Sequence, residues 1–365
     1  MTTQHNSAAD AAPAEVHDYI TALMRERSIP GLSIAVTNRD RLLFAGGYGQ
    51  AVLDPATSAT PSTSYLWFSM SKLVTATAAM RLAEEGGLDL DAPCGEYLGQ
   101  RPVGSATVRQ LLSHTAGTAN PIPLRWVHPA ASPARDDELL DRLLDKHAKP
   151  KHEVGAAARY SNLGYLILGR VISVGAGVPF TDYVHEAVLR PAGMSDTGYG
   201  IPSEGVAATS HVKCPRGTGL ALKAVLPRGI VGPRHDNQLT LRPFLVDGAA
   251  YGGLVGHVID DARFARLHLR DGEMDGARVL SPAGARQMRD LRYPGKPFDH
   301  GLAWFRKPDA DRSKPFHVEH YGAGAGFWNA MRLYPDLGLG MVIMANTTAA
   351  YDVDALFDLL RKQAW

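Results

Sequence analysis

Residues 69–83 read Ser-Met-Ser-Lys-Leu-Val-Thr-Ala-Thr-Ala-Ala-Met-Arg-Leu-Ala. Apolar residues recur at helical spacing from Leu73 to Ala83, which predicts a helix that begins close to Ser69. Ser69 and Lys72 are three positions apart and therefore share one face of that helix. A serine hydroxyl becomes nucleophilic when a neighbouring base takes its proton, and lysine is such a base only where burial or a nearby cation lowers its pKa. The stretch predicts an activated serine at a helix N-terminus, where exposed N–H groups favour developing negative charge.

Ser-x-x-Lys is a weak signal when it is taken alone, since the same residues describe an ordinary capped helix with a solvated lysine. Tyr160-Ser161-Asn162 adds to the case, because it places Tyr and Asn two positions apart just before an apolar helix. A tyrosine whose phenol is made more acidic by ammonium groups can shuttle protons. An asparagine amide can bind both a lysine and a substrate carbonyl. The structural alternative is that Tyr160 packs in the core and Asn162 caps the helix.

A third stretch, residues 320–327, reads His-Tyr-Gly-Ala-Gly-Ala-Gly-Phe and is predicted to lie inside a strand. Glycines in a strand let a ligand approach the backbone closely and leave N–H groups free for it. The alternative is a bulge or a tight turn. A dinucleotide-binding fingerprint is disfavoured, because no helix and no strand–helix–strand unit follow the glycines.

Hydrophobic periodicity predicts an α+β fold. A helix over 15–27 is followed by strands at 32–36 and 42–45. The C-terminal end mirrors this with four strands and a closing helix, over 301–305, 316–320, 327–334, 338–344 and 353–360. Strands at both ends of the chain favour one antiparallel sheet, flanked by helices, that is built from both termini. Between them, helices are predicted over 108–112, 137–147, 163–174, 181–190 and 260–269.

The predicted domain organisation has three parts. Residues 1–13 are small, polar and aperiodic, which predicts a flexible tail. Residues 14–85 and 249–365 are expected to form an α/β sheet domain, and residues 86–248 a mainly helical insertion domain. Within the insertion, frequent Pro and Gly residues break any period over 211–248, which predicts a long irregular loop.

The charge balance favours a small-molecule partner. Lys and Arg number 38 and Asp and Glu number 37, so the net charge is only +1. This charge does not indicate binding to nucleic acid or to an anionic membrane. No apolar run reaches the length of a membrane span, and the N-terminus lacks the basic and apolar segments of a secretory signal. We therefore expect a cytoplasmic protein with no nucleic-acid and no membrane partner.

No metal and no cofactor are expected. The 14 histidines form no HxxxH or HExxH pair. Cys94 and Cys214 are too few for a zinc site or a disulfide scaffold, which favours two reduced thiols. His114 is expected to satisfy local hydrogen bonds. The lack of a Gly-x-Ser-x-Gly elbow argues against an α/β-hydrolase.

Ser-x-x-Lys, Tyr-x-Asn and a cation-x-Gly strand, in this order, resemble the serine β-lactamase and penicillin-binding-protein superfamily. The resemblance is greatest to its class C-like branch, which includes family VIII carboxylesterases, D-aminopeptidases and related amide hydrolases. The flanking residues agree over 107–117, 160–165, 189–197 and 252–254, and the similarity spans roughly residues 15–360.

The resemblance implies a role for each matching residue. Ser69 corresponds to the acylated nucleophile, and Lys72 and Tyr160 correspond to the coupled base and acid. Asn162 corresponds to the residue that orients Lys72 and the substrate.

The remaining matches lie in the glycine-rich stretch. His320 and Gly322 occupy the cation-x-Gly positions, and the oxyanion hole is then formed by the backbone N–H groups of Ser69 and Ala323. The β-lactamases and D,D-peptidases of this superfamily have lysine at the position of His320, where a permanent cation holds the substrate carboxylate. A histidine is mostly neutral at pH 7. This departure weakens the case for an anionic β-lactam or peptide and is compatible with neutral esters or amides.

These features predict a serine hydrolase that acts on a small carboxylic ester through an acyl-enzyme, as a family VIII esterase does. A β-lactamase, a D-stereospecific peptidase or amidase, or an acyltransferase on the same scaffold is the alternative. A binding protein without catalysis is a remote alternative, since no residue of the three motifs is missing.

Overall fold

The computed structural model describes residues 12–98, 105–147, 149–215, 217–308 and 313–365. Residues 1–11 of the predicted tail lie outside them. The helices within the described residues, in chain order, are α1 (Ala14–Arg27), α2 (Ser71–Glu84), α3 (Gly95–Leu98), α4 (Val108–Leu112), α5 (Asp136–His147), α6 (Asn162–Ala176), α7 (Phe180–Val184), α8 (Thr218–Val225), α9 (Ala249–Gly252), α10 (Val258–Leu269), α11 (Pro282–Arg289) and α12 (Val353–Arg361). The strands are β1 (Gly31–Asn38), β2 (Leu42–Leu53), β3 (Ala56–Ser58), β4 (Tyr65–Leu66), β5 (Val127–Pro129), β6 (Ser210–Lys213), β7 (Val231–His235), β8 (Gln238–Leu241), β9 (Phe244–Val246), β10 (Val255–Gly256), β11 (Glu273–Met274), β12 (Ala277–Arg278), β13 (Asp299–His300), β14 (Phe305–Arg306), β15 (Val318–Gly324), β16 (Phe327–Tyr334) and β17 (Leu339–Ala345).

The main sheet has eight strands in the order β13-β14-β15-β16-β17-β1-β2-β3. β1 comes from the N-terminal end and pairs antiparallel with β17 from the C-terminal end, with Leu32 opposite Ala345 and Asn38 opposite Leu339. The two ends of the chain therefore meet inside one sheet. The prediction of an α+β fold with an antiparallel sheet built from both termini is confirmed.

Both faces of this sheet are covered by packed residues. Side chains alternate between the two faces along each strand, so neighbouring residues belong to different clusters. On one face Ile34 and Ile343 pack in a cluster with residues of α1 and α12. On the other face Ala35 and Val342 belong to the large core that contains α2 and α10, and α10 contacts both β1 and β17. Two buried faces explain why the central strands are nearly continuous apolar runs.

Helix α2 lies inside the molecule rather than on its surface. Eleven of its 14 residues are buried, and it packs against α6 and α9. The Thr75 hydroxyl donates a hydrogen bond to Ala250 O at 2.8 Å, which ties α2 to the short helix α9. The position of this one helix therefore depends on elements from distant parts of the chain.

The segment 211–248 corrects the sequence prediction of an irregular loop. It contains α8, β7, β8 and β9 and most of β6, and β6, β8 and β7 form a three-stranded antiparallel sheet. Strands are held by main-chain hydrogen bonds, so short ones need no side-chain period that a sequence reading can detect. Pro233 lies in β7, at the edge of this sheet, where a proline costs no ladder hydrogen bond.

The strand predicted over 301–305 is also wrong. Residues 301–304 are instead the turn that joins β13 and β14, which pair antiparallel. Ala303 has φ 73°, a left-handed conformation that a strand does not contain. Leu302 and Trp304 are nevertheless buried, and this burial explains why the turn has the apolar composition of a strand.

Among the described residues, no single helix has both the length and the apolar character needed to cross a bilayer. Helix α6 and the segment Phe180–Leu189, which comprises α7 and the π-helical turn His185–Leu189, pass that test on length and composition only when they are taken together, and they are bent by 78°.

We expect Leu356→Ala in α12 to lower the free energy of unfolding by about 2–5 kcal/mol, because it leaves a cavity between α12 and the sheet. Leu356 is fully buried, whereas Leu337 is 50% exposed. The matched control Leu337→Ala is expected to change stability by no more than about 0.5 kcal/mol. Urea unfolding measures both, and equal losses in the two variants would contradict the packing described for α12.

Candidate active site

Ser69 lies in a 3₁₀ turn, Phe68–Met70, that leads directly into α2. Phe68 has φ 49°, a left-handed conformation that costs a non-glycine residue about 1 kcal/mol or more. The surrounding segment holds this turn in place, since Trp67 N donates to Leu254 O at 2.8 Å and Leu254 N donates to Ser71 Oγ at 3.1 Å. The nucleophile predicted from the sequence therefore stands on a rigid, strained turn at the start of a buried helix.

Lys72 is fully buried one turn further along. Its Nζ lies 3.2 Å from Ser69 Oγ, 2.8 Å from Asn162 Oδ1 and 2.9 Å from the carbonyl oxygen of Tyr251. Burial lowers the pKa of Lys72 well below its ordinary value. The amide and carbonyl oxygens can only accept, so they take the two N–H bonds of a neutral amine. The lone pair of Nζ is then left for the proton of Ser69.

Three tyrosine rings surround the Lys72 amine. Nζ lies 4.8 Å from the ring centroid of Tyr160, 5.1 Å from that of Tyr251 and 5.5 Å from that of Tyr165. Ring faces attract a cation, but the same rings exclude water, and the loss of hydration decides the direction in which the pKa of Lys72 moves. The cage keeps the amine in its basic form.

Tyr160 differs in one respect from the sequence expectation of an acidified phenol. Burial raises the pKa of Tyr160 above its ordinary range, and a hydrogen bond with Ser69 only partly opposes this. A phenol that keeps its proton near neutral pH serves as a proton donor, not as a phenolate base. A phenol in this state is suited to donate a proton, and the Lys72 amine is the neighbouring group suited to accept one.

Asn162 reaches Lys72 because the chain before α6 is held by side chains. His114 Nδ1 accepts a hydrogen bond from Ser161 N at 3.2 Å, and the His114 ring lies 4.5 Å from that of Tyr160. His114 thus makes the local contacts expected of it. Ser161 Oγ accepts from Gly164 N and caps the helix, so Asn162 is not the cap and its amide is free to orient Lys72.

His320 is fully buried beside this group. Its Nδ1 lies 2.8 Å from the carbonyl oxygen of Tyr321, which can only accept, so Nδ1 carries the proton. Among the described residues, its Nε2 has no hydrogen-bond partner. Burial lowers the pKa of His320 well below its ordinary value, and Lys72 and His300 lower it further. His320 is a neutral ring, not a cation.

Gly322 and Gly324 bring β15 against the turn that carries the nucleophile. A Cβ on Gly322 would collide with the carbonyl oxygen of Trp67, and a Cβ on Gly324 would lie 2.5 Å from the Phe68 ring. Ala323 stands between them and is exposed. The glycine-rich stretch is both a strand and a tight turn, because Ala325 and Gly326 have positive φ between β15 and β16.

The residues predicted from the sequence converge as follows. Ser69, Lys72 and Asn162 are joined by hydrogen bonds, and Tyr160 adjoins both Ser69 and Lys72. That the N–H groups of Ser69 and Ala323 form an oxyanion hole stays a prediction. The sequence reasoning missed the carbonyl of Tyr251, since a backbone acceptor has no side-chain signature. The neighbouring residues 252–254, which match the superfamily pattern, were the part of the sequence that could have indicated this position.

One group outside this site has metal-ligand atoms in proximity. The carboxylates of Asp196 and Asp260 and the ring of His257 lie within 4.8 Å of one another. Asp260 Oδ2 accepts hydrogen bonds from Asp196 N and from the Thr197 hydroxyl, and His257 Nδ1 accepts from Asp260 N as the cap of α10. These contacts give the cluster a structural role at the start of α10.

Comparisons with known proteins identify the family of this chain and proteins that share its fold. A family model described as beta-lactamase matches residues 16–364. The sequence is 29% identical over 368 residues to penicillin-binding protein 4 of Amycolatopsis lactamdurans, covering 94% of this chain and 88% of that protein. The octameric penicillin-binding protein homologue from Pyrococcus abyssi superposes with a TM-score of 0.77 at 22% identity, covering 95% of this chain and 76% of that one. A class C beta lactamase from Rhodobacter sphaeroides gives 0.72 at 21% identity, covering 96% and 99%.

We expect Asn162→Asp to move the acidic limb of Ser69 reactivity to higher pH by about one unit or more, because a carboxylate beside Nζ raises the pKa of Lys72. The neutral amine is the reactive form, so the rate rises as pH rises through this pKa. The measurement is the rate of Ser69 labelling by a fluorophosphonate at different pH values. Asn237→Asp, at an exposed residue, is the control. An unchanged profile in Asn162→Asp would contradict Lys72 as the base.

Proposed function

Since the chain belongs to the beta-lactamase family, whose members are serine hydrolases, we propose that it hydrolyses carboxylic esters through an acyl-enzyme on Ser69. The observation that carries this proposal is the environment of Lys72. Its buried amine has two fixed acceptors, Asn162 Oδ1 and Tyr251 O, and its third direction faces Ser69 Oγ at 3.2 Å. A base aimed at one hydroxyl is typical of nucleophilic catalysis.

The steps follow from these contacts. Lys72 Nζ takes the proton of Ser69 as Oγ attacks the ester carbonyl. The N–H groups of Ser69 and Ala323 receive the negative charge of the carbonyl oxygen as the tetrahedral intermediate forms. The intermediate expels the alcohol, which takes a proton from Lys72 through the Tyr160 hydroxyl. Water then attacks the acyl-enzyme, gives one proton back through the same pair, and releases the carboxylic acid and free Ser69.

The ester is preferred to a β-lactam because of His320. A neutral, fully buried ring offers no charge to a substrate carboxylate, and bringing an anion beside it would cost hydration without an ion pair in return. An ester without an anion at that position avoids this cost.

A β-lactamase, or a D-stereospecific peptidase or amidase, is the second candidate. The observation that favours it is the similarity to proteins named penicillin-binding protein and class C beta lactamase. An acyltransferase would use the same acyl-enzyme, with an alcohol or amine in place of water. A binding protein without catalysis is disfavoured by the connected hydrogen bonds of Ser69, Lys72 and Asn162.

Ser69→Ala is expected to abolish hydrolysis of p-nitrophenyl butyrate, because no other group in the site replaces its hydroxyl as the nucleophile. Mass spectrometry of wild-type protein mixed with the ester should show an acyl adduct on the peptide that contains Ser69. Ser62→Ala, at an exposed serine on the same approach to the helix, is the control and should retain full activity. Retained turnover in Ser69→Ala would refute the mechanism.

Substrate class is tested by comparing p-nitrophenyl butyrate, nitrocefin and a D-alanine amide at equal enzyme concentration. We expect kcat/KM for the ester to exceed that for nitrocefin by about tenfold or more, since a missing ion pair to a desolvated anion costs at least this much. Turnover of nitrocefin at the rate of the ester would instead establish the β-lactamase candidate.

A further inference from the structure

Helix α9 provides one of the contacts of the Lys72 amine, although it is only four residues long. The Tyr251 carbonyl oxygen of α9 accepts a hydrogen bond from Lys72 Nζ at 2.9 Å. Gly248, the residue before α9, has no side chain that could cap the free N–H groups of the first turn. A helix this short is not stable in isolation. Its position must therefore be fixed by contacts from other parts of the chain.

The missing cap comes from Asp136, the first residue of α5, which lies 112 positions earlier in the chain than Gly248. Asp136 Oδ1 accepts a hydrogen bond from Gly248 N at 2.6 Å, and Asp136 Oδ2 accepts one from Ala249 N at 2.8 Å. Both oxygens of one carboxylate are thus used by the start of α9. Hydrogen bonds to an ionised carboxylate are stronger than those between neutral groups. Asp136 therefore replaces the cap that the glycine cannot supply.

A second acid secures the same junction in the opposite direction. Asp247, two residues before α9, is buried, and its Oδ1 accepts a hydrogen bond from Arg135 N at 3.1 Å and lies 2.8 Å from His128 Nδ1. Asp247 N donates to Trp126 O at 2.9 Å, and the Trp126 ring lies edge-on to the Tyr251 ring at 5.4 Å. The starts of α5 and α9 thus exchange hydrogen bonds in both directions, which fixes α9 to the helical segment that contains α5.

Helix α9 contacts the catalytic helix α2 through two consecutive carbonyl groups. Ala250 O accepts from the Thr75 hydroxyl at 2.8 Å, and Tyr251 O accepts from Lys72, one turn earlier on α2. The centroid of the Tyr251 ring also lies 5.1 Å from Nζ, and this ring is buried. A displacement of α9 would therefore remove one acceptor from the amine and open the group of rings that excludes water from it.

We propose that Asp136 is a positioning residue for catalysis, which caps α9 and thereby holds the Tyr251 carbonyl and ring against the Lys72 amine. The described hydrogen bonds of Asp136 go to the start of α9, and those of Lys72 go to Ser69, Asn162 and Tyr251. Asp136 thus acts on the amine through α9. This inference rests on the role of Lys72 as the base in the proposed function.

The groups around the amine determine how the loss of this cap would appear. The ionisable side chains that face Lys72 are the phenols of Tyr160, Tyr165 and Tyr251 and the rings of His114 and His320. Burial disfavours the charged form of each of them, as it raises the pKa of the phenols and lowers that of the imidazoles. Access of water is therefore the main influence on the pKa of Lys72 that a movement of α9 would change.

The direction of the change distinguishes positioning from a direct effect of charge. Asp136→Asn removes a negative charge, which acting through space would lower the pKa of Lys72. Loss of the cap instead loosens α9 and admits water, which stabilises the ammonium form, replaces the Tyr251 carbonyl as an acceptor and raises this pKa. Because the neutral amine is the reactive form, a raised pKa moves the acidic limb of Ser69 reactivity to higher pH.

The experiment measures the rate of Ser69 labelling by a fluorophosphonate across a range of pH. In Asp136→Asn we expect the acidic limb to move to higher pH by about one unit, so that labelling on this limb is about tenfold slower at a given pH. The matched control is Asp137→Asn, which removes the same charge from the same turn of α5. Asp137 is exposed and pairs with Arg170 rather than with α9, so its substitution should leave the profile unchanged.

Hydrogen–deuterium exchange separates a local movement of α9 from a loss of folding. In Asp136→Asn the peptide that spans residues 247–254 should exchange faster, while the peptides of β1 and β17 keep the protection of the wild type. Faster exchange throughout the chain, or a variant that does not fold, would show that Asp136 supports the whole fold and would overturn the proposal. An unchanged pH profile, or a limb that moves to lower pH, would overturn it as well.

The same data keep this inference distinct from the proposed function. A wild-type profile without an acidic limb would refute Lys72 as the base and with it the proposed mechanism, whatever Asp136 does to α9. A limb that is present in the wild type and identical in Asp136→Asn would refute the role of Asp136 alone and leave the proposed ester hydrolysis intact.

Discussion

The burial of the Lys72 amine among neutral oxygens and aromatic rings is the constraint on which the rest of the site depends. An amine removed from water is unstable as an ammonium ion unless an anion pairs with it, and the contacts of Nζ are a hydroxyl, an amide oxygen and a backbone carbonyl. Burial thereby favours the neutral amine of a side chain that is ordinarily protonated. The free-energy cost of burying this amine is offset by the packing of α2, which is buried on nearly every side.

A second constraint on the site is the contact of β15 with the turn before α2. Gly322 and Gly324 leave no side chain between the strand and the Trp67–Phe68 backbone. β15 is held in register by β16, and β16 is joined through β17 to β1 at the other end of the chain. The geometry around Ser69 is therefore set by a sheet whose strands come from distant parts of the chain.

Different parts of the fold were predictable for different physical reasons. Helices α4 and α5 follow the side-chain period of 3.6 and strand β16 is a mostly apolar run, and their observed bounds agree with the predicted ones to within a residue. The segment 211–248 has no such side-chain pattern, because its strands are short and are stabilised by main-chain hydrogen bonds. The turn at 301–304 was predicted as a strand because its residues are apolar. They are buried in the core although they belong to a turn.

The sequence by itself identified the candidate catalytic side chains. Ser69, Lys72, Tyr160 and Asn162 stand in recognisable patterns, because catalysis needs particular groups at particular spacings along a helix or beside one. Only the tertiary structure decided the direction in which their pKa values move. Burial lowers the pKa values of Lys72 and His320 and raises that of Tyr160, and burial depends on which distant segments pack around a residue.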